Sequence, residues 1–236
     1  MTPRDTYRVQ AYWQILDLIA EGQLVPAEKW SEQRLATTLG VPARTPGLRE
    51  ALAMLAADGF IDQRPQVGFW VQPMSWDELL ELQRLRSGVE ARIALSLIAR
   101  PSETALKDAR ATLDIAESYA NNGDVAGFAK TEAEFHVNLA RSAASPLAVR
   151  VLEPWMIRLR MYCPGLVVLD TDAMLETISD DRVWLDAIER LDNRAAIDMT
   201  ESIMDRHTDR LQMSSAAPPP TVRQAATNQH DLALAT

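Results

Sequence analysis

Residues 31–72 contain the pattern that most restricts what this chain can fold into. A polar start leads into a short helical pattern that ends at Gly40, and a proline-rich break separates it from a second helical pattern that ends at Gly59. Two short apolar runs follow, and the turn residues 65–68 join them. Helix, turn, helix and hairpin in this order predict a winged helix-turn-helix, which places its later helix in the major groove of DNA.

The rest of the N-terminal third, residues 1–74, completes this predicted domain. Apolar residues at helical spacing predict a first helix over 7–21: Val9, Trp13, Leu16 and Ala20. Ser31 is placed to cap the second helix, and Thr45-Pro46 is typical of a cap and first turn, so we expect the third helix to begin there. Phe60-Ile61 and residues 69–71 are β-prone and predict the two strands of the wing.

Beyond Pro73 the chain predicts a different architecture. Long amphipathic patterns without strand-like alternation follow one another over six segments: 76–99, 102–121, 124–143, 146–162, 171–191 and 193–213. Their short connections predict an all-α antiparallel bundle for residues 75–213. The remaining residues, 214–236, are rich in Ala, Pro, Thr and Gln and predict a disordered tail. The predicted fold is therefore mainly α, with one small β-hairpin.

The net charge of −9 by itself argues against a nucleic-acid partner, but its distribution weakens the objection. Residues 1–74 hold seven Lys/Arg and eight Asp/Glu, whereas residues 75–236 hold seventeen and twenty-five. The acidity therefore lies outside the predicted DNA-reading domain. A polar N-terminus, the lack of an apolar run long enough for a bilayer and a single cysteine, Cys163, predict a cytoplasmic protein with no membrane partner and no internal disulfide.

Residues 15–72 resemble the N-terminal domain of GntR-type bacterial transcription regulators. The motifs that carry the resemblance occur in the family's order: Leu35-Ala36, Leu39-Gly40-Val41, Arg44-Thr45-Pro46, Arg49-Glu50-Ala51-Leu52 and Gly68. The family usually runs eleven residues from the glycine to the final leucine, and residues 40–52 have thirteen, with Pro42-Ala43 in place of one residue and Gly47 as an extra residue. The extra pair must lengthen the turn or re-phase the recognition helix, and Gly47 would cost about 1 kcal/mol inside that helix.

The resemblance implies six DNA-contacting residues: Gln33, Arg34, Arg44, Thr45, Arg49 and Gly68. Arg44 and Arg49 are the strongest of these, because the fork of an arginine can pair with guanine or with phosphate. Thr45 and the helix N-terminus would donate to phosphate oxygens, and Gly68 would let the wing approach the minor groove closely. A solvated surface charge is the alternative for each arginine taken alone, and a protein-binding winged helix is the alternative for the domain.

Four ionisable residues lie on apolar faces of three predicted helices of the bundle. Glu132 and His136 are one turn apart, Asp181 interrupts the apolar stripe of its helix, and His207 shares a face with Met204. A buried charge needs a partner. These residues could therefore pair among themselves by ordinary hydrogen bonds, or they could hold a divalent metal.

Residues 76–213 are similar to the FCD ligand-binding domain of the FadR subfamily of the same regulators. Three segments carry this similarity. The first helix of the FCD domain resembles ELLELQRLRSGVEARIALSLIA, and its Asp-x-x-x-His helix resembles EAEFHVNLARSAASPLA. Its closing region resembles DDRVWLDAIERLDNRAA. Many members hold a metal with one Asp and three His, and the matching positions here are Glu132, His136, Asp181 and His207. The two substituted carboxylates favour manganese, nickel or iron over zinc. Arg86 is in position to clamp the carboxylate of a small effector.

The sequence therefore predicts a transcription regulator and not an enzyme. Most such regulators are repressors, so we expect a homodimer whose affinity for a palindromic double-stranded operator is controlled by a small organic acid. Trp155, Arg158 and Trp184 would line the effector pocket, although aromatic residues at helical spacing are more often core. The alternative is a metal-dependent hydrolase or lyase built on the same four polar residues. The lack of a recognisable nucleophile and base argues against that alternative.

Overall fold

A computed structural model describes residues 3–26, 28–42, 44–166 and 170–215. Over these ranges the chain forms nine helices and one two-stranded antiparallel sheet, so the mainly α architecture predicted from the sequence is confirmed. The chain divides into two compact units, one that ends at Met74 and one that begins at Ser75. The predicted tail lies outside the described residues except for its first two residues, which continue the last helix.

The first unit, which we call the head, is a three-helix domain with a hairpin. Its elements are α1 (Pro3–Ala20), α2 (Glu32–Thr38), α3 (Leu48–Ala57), β1 (Ile61–Arg64) and β2 (Gly68–Val71). α2 begins where predicted, because the Ser31 hydroxyl accepts a hydrogen bond from the backbone N–H of Arg34. The core consists of fully buried apolar side chains: Ile15, Leu16, Leu24, Leu35, Leu48, Leu52, Leu55, Phe60 and Phe69. Each side chain of this size stabilises the head by about 1.5–3 kcal/mol when it is buried.

α1 buries only two of the four apolar residues whose spacing predicted it, Leu16 and Ala20. Val9 is 39% exposed and Trp13 is half-buried, whereas Ala11, Ile15 and Ile19 are at most 2% exposed. α1 packs on α3. Helical spacing located the helix correctly, but which of its side chains are buried depends on how the helix packs in the head.

α3 begins at Leu48, and the prediction that Thr45-Pro46 caps it and forms its first turn was wrong. Gly47 is the N-cap, with a left-handed φ of 94°, and the Thr45 hydroxyl instead donates to the Pro42 carbonyl. Glycine adopts this φ without steric cost. A Cβ at position 47 would also lie 3.2 Å from the backbone nitrogen of Arg8. The extra residues therefore lengthen the turn and leave the interior of α3 free of glycine.

The wing is a hairpin that forms backbone hydrogen bonds with the loop before α2. β1 and β2 pair antiparallel, with Ile61 opposite Val71. Trp30 extends this ladder, because its backbone exchanges two hydrogen bonds of 2.9 Å with Phe69. Gly68 lies in this crowded place with a φ of 133°, and a Cβ there would be 2.3 Å from the Trp30 carbonyl oxygen. The fold therefore requires glycine at position 68, independently of any contact with DNA.

The second unit contains six helices that follow the six predicted segments. They are α4 (Trp76–Ala99), α5 (Glu103–Asn121), α6 (Val125–Ser142), α7 (Pro146–Leu166), α8 (Thr171–Glu189) and α9 (Asn193–Ser215). Polar caps account for the agreement, because a side-chain oxygen just before four of the helices accepts a hydrogen bond from the first turn: Ser75, Ser102, Asp124 and Asp170. At α4 the cap is a complete capping box that pairs Ser75 with Glu78.

The bundle buries polar groups inside an otherwise apolar core. α4 packs on α9, α5 on α6 and α8, and α6 on α7. Among the described residues the buried polar side chains are Gln83, Arg86, Glu90, Thr131, His136, Thr177, Asp181 and Thr200. Those with ionisable groups come from α4, α6 and α8 and meet in the middle of the bundle. No helix in the described ranges is long and apolar enough to cross a membrane.

Candidate functional site

Arg49 lies in the first turn of α3 and presents an exposed guanidinium. Its side chain is 79% exposed, and its Nε donates a hydrogen bond to the Glu32 carboxylate of α2 over 2.7 Å. This hydrogen bond raises the pKa of Arg49, so the group remains a cation. The position at the start of the helix suits contact with base edges, which recognition helices make near their N-terminal ends.

Arg44 and Thr45 lie in the turn before α3 and share a surface with Arg49. The three residues line a hollow of about 450 Å³ together with Gly47. The Thr45 hydroxyl already donates to the Pro42 carbonyl over 2.6 Å. A hydrogen bond from this hydroxyl to a phosphate would therefore require that internal bond to break. The structure thus brings the predicted arginines together, while the predicted role of Thr45 stays untested.

A second groove, of about 640 Å³, lies between the start of α2 and the wing. Three of the residues predicted to contact DNA line this groove: Gln33, Arg49 and Gly68. Arg64, at the end of β1, also lines it. Arg64 was missed in the sequence analysis. Its guanidinium lies 5.1 Å over the Trp70 ring, which holds it beside the groove. A basic residue directly before the wing turn was the sequence signal that could have found it.

Arg34 lies on α2 but lines neither of these two hollows. Its guanidinium stacks 3.6 Å over the Trp30 ring and donates to the Glu28 carboxylate over 2.6 Å. The side chain is 50% exposed, so it remains accessible from one side. Its predicted contact with DNA stays a prediction.

Inside the bundle, α6 and α8 bring three of the four predicted metal ligands together. Glu132, His136 and Asp181 each offer one ligand atom, and these atoms all lie within 4.8 Å of one another. His136 Nε2 is 2.9 Å from Glu132 Oε1 and 3.8 Å from Asp181 Oδ1. The side chains of His136 and Asp181 are 1% exposed, and that of Glu132 is 13% exposed. We call these three residues the buried cluster.

α4 adds two charges to the buried cluster. Arg86 Nε donates to Glu90 Oε1 over 2.5 Å, and Arg86 Nη2 donates to Glu132 Oε1 over 3.2 Å. Glu90 Oε1 also lies 3.2 Å from His136 Nδ1. Glu90 was not predicted as a site residue, although its place one turn after Arg86 in a largely apolar helix is visible in the sequence. Arg86 is 2% exposed, so this ion pair is an internal one.

The donor atoms of the buried cluster fit a divalent cation. Both ring nitrogens of His136 and both carboxylate oxygens of Asp181 are buried without a hydrogen-bond partner. The 2.9 Å approach of His136 to Glu132 therefore lacks the geometry of an N–H···O hydrogen bond. Buried polar atoms without a partner cost about 1–3 kcal/mol each. One imidazole with two carboxylates is, by contrast, an ordinary set of ligands for a first-row divalent metal.

Comparison with known proteins covers both units of the chain. The family model described as the FCD domain matches residues 81–210, and the model of bacterial regulatory proteins of the gntR family matches residues 8–71. The chain belongs to the GntR family of transcription regulators, in its FCD branch. It is a DNA-binding regulator and not an enzyme, as the sequence predicted.

Individual relatives agree with this assignment. The regulator is similar to a protein of Paenarthrobacter nicotinovorans named "Probable D-xylose utilization operon transcriptional repressor". The two are 28% identical over 179 residues, and this alignment covers 75% of the regulator and 76% of that protein. It is also 34% identical over 98 residues to an uncharacterized HTH-type regulator of Streptomyces ambofaciens. This alignment covers 42% of the regulator and 39% of that protein.

Solved structures share the fold at low sequence identity. E. coli McbR/YncC has a TM-score of 0.79 at 18% identity and covers 91% of the regulator and 100% of its own chain. A GntR-type regulator from Rhodococcus sp. RHA1 has a TM-score of 0.72 at 18% identity and covers 88% of the regulator and 98% of its own chain.

Charges around the buried cluster of the regulator shift the pKa values of its members in opposite directions. Burial raises the pKa of the Asp181 carboxyl to about 8. Burial also opposes ionisation of Glu132, but the positive charges of His136 and Arg86 hold its pKa well below the usual range. Burial lowers the pKa of His136, yet the Glu90 carboxylate and its neighbours outweigh this effect and raise it. Without a cation the cluster therefore keeps protons that a bound metal would displace.

The remaining predicted residues of the bundle have less defined roles. His207 on α9 lies outside the buried cluster, and burial together with the charge of Arg86 lowers its pKa to about 3. The imidazole is thus neutral, which is the form that binds metals, and its role as fourth ligand stays a prediction. Trp184 is a core residue, 1% exposed, whose indole N–H donates to a backbone carbonyl of α9. Trp155 and Arg158 are half-buried on α7.

Proposed function

We propose that this regulator is a repressor whose affinity for its operator is controlled by a small organic acid bound inside the FCD bundle. The observation that carries the proposal is the buried cluster of Glu132, His136 and Asp181, with its unpartnered nitrogen and oxygen atoms. A ligand that forms bonds with these atoms binds most tightly to the arrangement of bundle helices that closes around it. Binding therefore increases the population of that arrangement. The name of the Paenarthrobacter relative supports repression as the sign of control.

The buried cluster is the proposed site of a divalent metal, with His207 as the fourth ligand. When bound, the ion would supply a positive charge that attracts the carboxylate of an organic acid. The two carboxylates of the cluster, Glu132 and Asp181, make the donor set hard and anionic, which favours Mn, Ni or Fe over Zn. Arg86 donates a hydrogen bond to Glu132 over 3.2 Å and so helps to orient its carboxylate.

Arg86 is the proposed contact of the effector's carboxylate within the protein. Its guanidinium borders the buried cluster, and the 2.5 Å bond to Glu90 holds it in place. A planar fork of donors suits recognition of a carboxylate. Because the side chain is only 2% exposed, an effector must enter between the helices, which ties its binding to a change in how α4 and α6 pack.

Homodimerisation would present two heads to the two halves of a palindromic operator. Arg44 and Arg49 would read bases, Gln33 and Arg34 would contact the DNA backbone or bases, and the hairpin at Gly68 would reach the minor groove. Effector binding would change the relative placement of the heads. The coupling free energy must then act equally in both directions, so operator DNA would weaken effector binding.

A thermal-shift screen of organic acids, with and without Mn²⁺, Ni²⁺, Fe²⁺ or Zn²⁺, tests this proposal. We expect a metal alone to raise the melting temperature, and some acids to raise it further only when the metal is present, because both bind the folded state. Glu134 is exposed on the same helix and offers a matched control. Glu132→Gln should abolish the metal-dependent shift, and Glu134→Gln should retain it. Equal shifts in the two variants would rule out the buried cluster as the metal site.

A further inference from the structure

Three exposed arginines of the head are each paired with a carboxylate of the same domain. Arg34 lies 2.6 Å from Glu28, Arg49 lies 2.7 Å from Glu32 and Arg64 lies 3.3 Å from Asp62. The arginine side chains are 50%, 79% and 67% exposed, respectively. Exposed ion pairs of this kind contribute little to folding stability. Folding stability therefore does not account for these pairs.

Members of two of the three pairs line a groove that would meet DNA. Glu32, Arg49 and Arg64 all line the groove between α2 and the wing. Arg34 is in the first turn of α2, and Glu28 lies in the loop just before that helix. With seven basic and eight acidic residues in positions 1–74, the head carries no excess of positive charge. A DNA-binding surface built in this way has accessible arginines whose charges are already compensated.

We propose that Glu28, Glu32 and Asp62 are specificity-determining residues that suppress binding to random DNA. Affinity for random DNA comes from Lys and Arg side chains that neutralise phosphates and release counterions. An arginine that is already paired must give up its carboxylate, or bring that carboxylate close to the phosphate, before it gains this energy. Both routes weaken phosphate contacts. The uncharged edge of a base repels a neighbouring carboxylate far less than a phosphate does, so operator contacts keep more of their strength.

Glu32 has a second role as a positioning residue for Arg49. The bond to Glu32 uses the Nε of Arg49, so the two terminal nitrogens form the edge that can address the acceptors O6 and N7 of guanine. An arginine fork held at its Nε loses less rotational freedom when it meets a base. The same carboxylate therefore penalises phosphate contact and prepares base contact.

The test compares Glu28→Gln, Glu32→Gln and Asp62→Asn with Glu21→Gln in the full chain. Glu21 directly follows α1, and its carboxylate accepts a hydrogen bond from Gln23, so this variant controls for the change in net charge. Fluorescence anisotropy measures the affinity of each variant for a duplex that the wild-type regulator selects from a random library. A scrambled duplex of the same length measures binding to random DNA, and both are titrated over a series of salt concentrations.

We expect each of the three test variants to bind scrambled DNA about tenfold more tightly and with a steeper salt dependence, since one more arginine is free to meet phosphate. Glu32→Gln should gain little affinity for the selected duplex, so its ratio of selected to scrambled affinity falls most. Glu21→Gln should change both affinities by less than about twofold. A Glu32→Gln ratio equal to that of Glu21→Gln would overturn the proposal. Equal losses of both affinities with a lower melting temperature would show a merely structural role and would overturn it too.

Discussion

At the scale of the residue, the structure separates glycines that the backbone requires from exposed arginines that are available to a partner. Gly68 belongs to a motif that the family resemblance connects with the wing, yet its first constraint is the Trp30 carbonyl 2.3 Å from where a Cβ would be. Gly47 replaces the expected Thr45 cap for a similar reason, because only glycine fits both its φ and the nearby α1 backbone. The arginines proposed to contact DNA, Arg44 and Arg49, are by contrast exposed and free of such packing limits.

Gly68→Ala should destabilise the head strongly. The added Cβ must displace the Trp30 backbone, and the positive φ adds strain. We therefore expect a loss of about 3 kcal/mol in the free energy of unfolding. Gly40→Ala is the matched control, because Gly40 has a φ of 68° but no heavy atom within 4 Å of an added Cβ. It should cost about 1 kcal/mol. Urea unfolding followed by tryptophan fluorescence measures both, and equal losses would show that strain alone matters.

At the scale of the element, local signals predicted more than packing signals. The helices α4 to α9 follow the predicted segments because their ends are set by polar caps and turn residues that lie beside them in the sequence. The start of α3 was mispredicted, since it depends on how α3 packs against the α1 backbone at Arg8. Glu90 and Arg64 were missed because their importance comes from side chains distant in sequence or across the hairpin.

α3 gives the sharpest prediction for DNA recognition. Arg49→Ala removes the exposed fork in its first turn and should weaken binding to a selected duplex by about 1–3 kcal/mol, with a smaller effect on scrambled DNA. Arg92→Ala, an exposed arginine of α4, serves as the control and should leave both affinities within a factor of about two. The measurement is an anisotropy titration at fixed salt. A loss that is equal for both duplexes would assign Arg49 to phosphate contact.

At the scale of the whole molecule, the chain separates its charges and its tasks. The head is nearly neutral and displays its arginines, whereas residues 75–236 carry most of the acidity, and the bundle encloses the buried cluster. In the proposed mechanism, a ligand acts on the bundle without competing with DNA for the same groups. Regulation would then depend on the difference in effector affinity between the DNA-binding arrangement and the released one.

Release of operator DNA by the effector tests the central claim most directly. An acid chosen by its metal-dependent thermal shift is titrated into the complex of the metal-loaded regulator with its selected duplex, and anisotropy reports the bound fraction. We expect the acid to lower the affinity for DNA at least about fivefold, the lower range of ordinary allosteric coupling, and to have no effect on His136→Ala. An affinity for DNA that does not change with acid or metal in the wild-type regulator would contradict control through the buried cluster.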